Sequence, residues 1–139
     1  MGRLVRLRRF TRDEAGAAMV ETALAFPLLI LVAVGVVQFA LFVHAQSVVL
    51  AAAQDGARVA SAEGRSVSEG VAHAQALLRA GLGPSAEAVS VRGAEDGEAV
   101  MVETQGRLRL ILPWVGDASL PLHAQAVMTK EHFRRGRLP

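Results

Sequence analysis

An uncharged apolar run from Thr22 to Val43 constrains this chain more than any other feature. It supplies 22 residues, and Gln38 is the only amide among them. A bilayer core about 30 Å thick is crossed by about 20 apolar residues in a helix. Pro27 and Gly35 lie inside the run, and both residue types are tolerated in membrane helices. We therefore expect one membrane-spanning helix here.

Arginine is concentrated before the apolar run. Five arginines stand at positions 3, 6, 8, 9 and 12, and few basic residues follow the run closely. Positively charged flanks of a span remain on the cytoplasmic side. We expect the N-terminus in the cytoplasm and everything after Val43 outside.

Two other interpretations of the run stay open. One is a secretory signal peptide cut after Ala45, although its apolar core would exceed the usual length of about 7–15 residues. The other is a plain uncleaved anchor. Glu21 would then be only an interfacial charge, because a carboxylate near the N-terminal end of a helix is favourable by itself.

A carboxylate stands at the entrance to the run. Glu21 is the last charge before it and lies five residues after Gly16. A charge within a membrane helix costs about 2.5–3.5 kcal/mol at the helix centre, so such a residue suggests a function. If the chain were cut after Gly16, Ala17 would acquire a free α-amine about one helical turn from Glu21.

Helical periodicity continues beyond the span. Small and apolar residues recur at helical spacing as far as Ala60, which predicts one helix from about Ala18 to Ala62. The stretch Ser66–Glu69 has the form of a capping box and predicts a second helix at about 67–80.

After Pro84 the apolar period changes from helical spacing to alternation. Three alternating runs predict an antiparallel meander, with a turn at Asp96-Gly97 and a bulge at Gly106. A loop from Pro113 to Pro121 carries Trp114, for which we favour core packing. The predicted fold class is α+β: a long transmembrane and stalk helix, a short second helix and a small three-stranded antiparallel sheet.

Charge divides the chain into four segments. We expect a basic cytoplasmic leader at 1–16, a transmembrane and stalk helix at 17–62, an α+β head at 63–131 and a basic tail at 132–139. The leader carries a net charge of +3, whereas residues 17–131 carry −4. A nucleic-acid-binding domain would gather positive charge on its folded face, so no nucleic-acid partner is expected.

The sequence offers no chemistry typical of an enzyme. It has no cysteine, and its histidines at 44, 73, 123 and 132 lack metal-ligand spacing. No phosphate-binding glycine loop or nucleophile motif is present. We expect no catalytic residues, metal, cofactor or small-molecule substrate. Asp55 and Arg58 should form a surface ion pair, and His123 should lie on the wet face of the last strand.

Three segments resemble the TadE-like pseudopilins of tight-adherence (Flp-type) pilus systems. The family has Gly, four small or apolar residues, Glu and then an apolar run with Pro, which is similar to residues 16–29 here. A second match is the alanine-rich segment at 51–58, ending in Gly56-Ala57-Arg58, and a weaker third lies at 124–131. Thr22, where Flp pilins usually have an aromatic residue, and the length of the chain argue against the major pilus subunit.

The resemblance implies cleavage by a type IV prepilin peptidase between Gly16 and Ala17. It implies an inner-membrane protein that enters or primes a surface pilus. Its partners would be membrane lipid, other pilins or pseudopilins and the Tad assembly platform. We further expect Glu21 to guide subunit register, and we assign helix packing to Pro27, Gly35, Gly56 and Arg58.

Overall fold

The computed structural model describes residues 4–111 and 118–130, with side chains from residue 16 onward. The elements in chain order are α1 (Leu4–Ser61), α2 (Val67–Leu82), a 3₁₀ helix (Gly83–Ala88), β1 (Val89–Asp96), β2 (Ala99–Arg109) and β3 (Ser119–Thr129). The strands form one antiparallel sheet in the order β1-β2-β3. The predicted α+β fold with its three-stranded meander is confirmed.

The chain divides into two compact units, residues 1–39 and 40–139. Helix α1 contributes residues to both units. The helix begins at Leu4, so the predicted start at Ala18 was wrong. Residues 4–15 contain neither Gly nor Pro and include several strong helix formers, so nothing in their sequence ends the helix early.

Helix α2 begins with the predicted capping box. The Glu69 backbone N–H donates to Ser66 Oγ at 3.3 Å, and the Ser66 N–H donates to Glu69 Oε2 at 2.9 Å. The helix ends at Leu82 because Gly83 adopts a φ of 55°, which favours glycine. The following 3₁₀ helix, with Pro84 in its first turn, was not predicted.

The first hairpin turns at Gly97 and Glu98. Gly97 has a φ of 50°, and the Glu98 N–H donates to the Asp96 carbonyl across it, which is the hydrogen bond of a γ-turn. The predicted bulge at Gly106 was wrong, because this residue pairs one-to-one with Val89 and with Leu122. Glycine is needed there for close approach: a Cβ would lie 2.7 Å from Val89 Cγ2.

Strand β3 begins at Ser119, earlier than predicted. The expected loop up to Pro121 was therefore wrong at its end, since Pro121 lies inside the strand opposite Arg107. β3 is an edge strand, where a residue without an N–H is tolerated. Trp114 lies outside the described residues.

The core of the second unit is built from small side chains of the helices and one face of the sheet. The predicted alternation is confirmed, because Val100, Val102 and Thr104 are fully buried, whereas Gln105 and Arg107 are exposed. The buried helical and β3 residues are Ala45, Val49, Ala52, Ala53, Ala57, Ala60, Ala74, Leu78, Leu122 and Ala124.

Candidate subunit-packing surface of the N-terminal helix

The apolar part of α1 in the first unit is exposed on every side. All residues from 16 to 33 are exposed, and Met19 and Leu24 show 76% and 73% of their surface. A helix that is apolar all round belongs inside a membrane or among other helices. By length and composition, the segment Gly16–Ser61 is able to cross a membrane, with a mean hydropathy of 2.6 in its most apolar stretch. It is a candidate membrane anchor.

The predicted cleavage pair lies on this surface. Gly16 and Ala17 are both exposed and both helical, and a Cβ on Gly16 would meet no atom within 4 Å. Ala17 and Glu21 are four residues apart, so they share one helix face. The geometry therefore places the Ala17 backbone nitrogen and the carboxylate about one turn apart along the helix.

Glu21 has no hydrogen bond or ion pair within the described residues. Its neighbour Thr22 is satisfied locally, because the Thr22 hydroxyl donates to the Ala18 carbonyl at 2.9 Å. Glu21 also lines a shallow groove with Thr22, Phe26 and Leu29. An acidic group is thus presented on an otherwise apolar helix surface.

Pro27 and Gly35 both lie in the continuous helix and are exposed. Pro27 lacks the N–H that would bond the carbonyl of Ala23. A Cβ added to Gly35 would meet nothing within 4 Å. Small residues on an exposed membrane helix allow another helix to approach closely.

Gln38 is a polar feature whose setting the sequence did not reveal. It is 7% exposed, and neither amide atom has a hydrogen-bond partner in the described part of the chain. The only signal was an isolated amide in an uncharged run, which does not distinguish a buried amide from an exposed one.

Gly56 and Arg58, the other two residues predicted to pack helices, lie in the second unit. Gly56 sits where α1 crosses α2: a Cβ there would lie 2.9 Å from both Ala74 Cβ and the Gly70 carbonyl oxygen. Arg58 lies on the surface, with its side chain 76% exposed and its Nη1 atom 3.8 Å from Asp55 Oδ1. The predicted surface pair is thus confirmed. Exposed pairs of this kind contribute about 0–1 kcal/mol.

The sheet surface carries the remaining polar contacts of interest. His123 is on the exposed face as predicted, and its Nε2 lies 3.1 Å from Glu103 Oε1. No group of three His, Cys, Asp or Glu suited to a metal ion occurs among the described residues. A cleft of about 340 Å³ between α2 and β1 is lined by Leu78, Arg79, Glu87 and other residues, none of them histidine.

Comparison with known proteins matches the segment that carries this surface. Residues 16–58 match the family model described as TadE-like protein. No curated protein and no solved structure matches the chain. The matched segment starts at Gly16 and ends at Arg58, so it includes the Gly-x4-Glu junction and the alanine-rich segment. Over residues 16–58, about a third of its length, the chain is therefore similar to the TadE-like family.

Proposed function

We propose that this chain is a noncatalytic structural subunit, a minor pilin or pseudopilin of the tight-adherence pilus. One observation carries the proposal: the TadE-like segment starts at Gly16 and presents Glu21, without an intrachain partner among the described residues, on an exposed apolar helix. An isolated carboxylate at a lipid boundary is costly unless another molecule supplies its partner.

The proposed maturation step is cleavage between Gly16 and Ala17 by a prepilin peptidase on the cytoplasmic side. The bond lies inside a continuous helix, so the peptidase must unwind this region locally. Gly16 helps, because glycine is about 1 kcal/mol less favourable than alanine in a helix. Cleavage removes a leader of net charge +3, which holds the N-terminus in the cytoplasm.

The new α-amine of Ala17 gives Glu21 of a neighbouring subunit a partner. Away from water, a correctly matched pair is tolerated, whereas a mismatched pair leaves an unpaired charge and is strongly disfavoured. Glu21 thereby selects one register between packed helices. Neighbouring helices approach closely at Pro27 and Gly35.

This role places the protein in the inner membrane with its head outside, and within a surface pilus after assembly. Its proposed partners are membrane lipid, the peptidase, other pilins or pseudopilins and the Tad assembly platform. No nucleic acid, cofactor or small-molecule substrate is needed for this role.

The cleavage step is tested by the N-terminal residue of the membrane-extracted protein. We expect Ala17 in a host with prepilin peptidase and the intact leader in the same host without it. An N-terminus at Met1 or Gly2 in the presence of an active peptidase would exclude the cleavage.

The register step is tested by Glu21→Gln, which keeps the side-chain shape and removes the charge. We expect normal cleavage but at least about a tenfold loss of assembled fibre. A free-energy cost of about 1.4 kcal/mol for one unpaired charge already lowers the assembly equilibrium constant by a factor of ten. Glu63→Gln, an exposed carboxylate beyond the end of α1, is the matched control and should assemble normally. Normal assembly of Glu21→Gln would refute the register step.

A second candidate is an uncleaved, single-pass module that binds or assists the assembly machinery. The uninterrupted helix from Leu4 through Gly16 favours it, because no break exposes the scissile bond. An intact leader on protein within the functional assembly would support this candidate over the pilin.

A further inference from the structure

The two edge strands of the head sheet differ in how far they are blocked from pairing with another strand. On β3, Pro121 offers no N–H, and the His123 carbonyl accepts a hydrogen bond from Gln46 Nε2 at 2.8 Å. Proline and covering side chains are ways in which proteins prevent pairing at an edge. β1 contains no proline and is exposed from Arg92 to Asp96. The β1 edge is therefore the open one.

The hydrogen-bond ladder shows which groups of β1 face outward. The Lys130 N–H donates to the Glu98 carbonyl, so Ala99 directs its own backbone groups toward β1. By alternation, the even-numbered residues of β1 bond to β2, and Val91, Gly93 and Glu95 direct their N–H and C=O groups away from the sheet. None of these three has a backbone partner on that side among residues 4–111 and 118–130.

The side chains along this edge have a self-complementary order of charge. Arg92, Ala94 and Asp96 point to the same outer face and read positive, neutral, negative. Neither Arg92 nor Asp96 forms a side-chain ion pair or hydrogen bond within the described residues. When two such strands run antiparallel about Ala94, Arg92 of each copy lies opposite Asp96 of the other.

We propose that the β1 edge binds the β1 edge of a second copy of this chain. A two-fold axis at Ala94 pairs Gly93 with Glu95 through their outward backbone groups and extends the sheet to six antiparallel strands. The alternative axis at Arg92 places two guanidinium groups opposite each other, and like charges directly opposite are destabilising. Ala94 is small enough to meet its own copy at the axis.

This head-to-head contact is independent of the pilin proposal. It involves neither the Gly16–Ala17 bond nor Glu21, so Glu21→Gln should leave it unchanged. Failure of the contact would likewise leave the cleavage and register tests as they stand.

The first test uses the absence of cysteine from the chain. At the proposed axis the Ala94 Cα atoms of the two copies are about 4.5 Å apart, because this is a non-hydrogen-bonded pair. That separation suits a disulfide, whose Cα atoms are about 4.4–6.8 Å apart. Full-length Ala94→Cys in detergent should form a disulfide-linked dimer under mild oxidation.

Val127→Cys is the matched control, since Val127 is exposed on the opposite edge strand. We expect at least about tenfold less crosslinked dimer for this control at equal protein concentration. Equal crosslinking of the two variants, or crosslinking of Val127→Cys alone, would overturn the proposal.

The second test exchanges charges in the Ala94→Cys background. Arg92→Asp makes the edge wholly acidic and Asp96→Arg makes it wholly basic, so each should lose the dimer crosslink. The double exchange should restore it, and a mixture of the two single variants should give a crosslinked heterodimer. Thermal unfolding must show that each variant is folded. If Asp96→Arg does not fold, Arg92→Asp is used alone, because Arg92 lies outside the turn. Folded single variants that crosslink as well as the parent would contradict the assigned register.

Discussion

Thr104 is the residue that joins helix α1 to the sheet through a buried polar contact. Its hydroxyl lies 3.2 Å from the Val49 carbonyl oxygen in α1 and 3.2 Å from the Ala124 carbonyl oxygen in β3. Because a hydroxyl has one proton, the two acceptors share it. The alternation along its strand can be read from the sequence, but it does not show which backbone atoms accept from the Thr104 hydroxyl.

Thr104→Val should reduce the free energy of unfolding of the head by about 1 kcal/mol, the usual net contribution of a hydrogen bond. Valine has nearly the same shape, so little of the loss comes from packing. Denaturant unfolding of the full-length protein in detergent measures it. Thr104→Ser keeps the hydroxyl and should retain the hydrogen bond; a neutral Thr104→Val would show that the contact contributes nothing.

Gly56→Ala should destabilise the head by about 1–3 kcal/mol, as overpacking a filled core does. The new Cβ would lie 2.9 Å from a backbone oxygen of α2, which cannot move without shifting that helix. Gly35→Ala is the matched control, because its Cβ meets nothing within 4 Å. If thermal unfolding shows equal effects of the two changes, close packing at Gly56 is not the cause.

Of two glycines at the contact between α1 and α2, only one was recognised from the sequence. Gly56 was noticed within an alanine-rich helix face. Gly70 was missed, although a Cβ there would lie 2.6 Å from Ala60 Cβ. A glycine inside a helical pattern looks the same whether it is merely tolerated or is required by another helix, since only the tertiary contact distinguishes the two cases.

At the scale of elements, the start of α2 was the most predictable boundary. The capping box depends on residues three apart in the chain, so local sequence determines it. In the structure the pKa of Glu69 is held below its usual value, chiefly by the hydrogen bond from the Ser66 N–H and secondarily by Arg65, whose Nη1 lies 3.2 Å away.

The cap should therefore make stability depend on pH. Because the pKa of Glu69 is lower in the folded chain, its contribution is complete above the unfolded value of 4.5 and is lost as the pH falls through the lower folded value. Glu69→Gln should show a smaller fall in melting temperature than the parent when the pH drops below that value. Glu87→Gln, outside the cap, is the control and should behave as the parent; an unchanged slope in Glu69→Gln would remove the cap as the cause.

Three elements were predicted wrongly or not at all, each for its own physical reason. Pro121 suggests a loop because it cannot donate to a ladder, yet on an edge strand one side needs no donor. Gly83-Pro84 correctly ends α2, but a 3₁₀ helix of six residues is too short to show an apolar period in the sequence. Helix α1 starts as early as Leu4 because residues 4–15 favour a helix, and the positive charge that marks the leader in the sequence does not oppose one.

At the scale of the whole molecule, the candidate membrane anchor leads to a prediction about orientation. The arginine-rich leader predicts that the head is outside. Glu98→Cys, in the exposed hairpin turn of a chain that has no other cysteine, should react with a membrane-impermeant maleimide on cells whose inner membrane is intact. Labelling that appears only after the cells are lysed would place the head in the cytoplasm.

The burial of Ala45, Val49 and Ala60 in the core of the second unit has a practical consequence for work on this protein. A truncation that discards all of α1 as an anchor would remove these residues and expose the part of the core that they cover. Such a fragment should aggregate, whereas one beginning near Ala40 retains every helical residue of that core. Binding studies on an isolated head therefore need the last third of the helix.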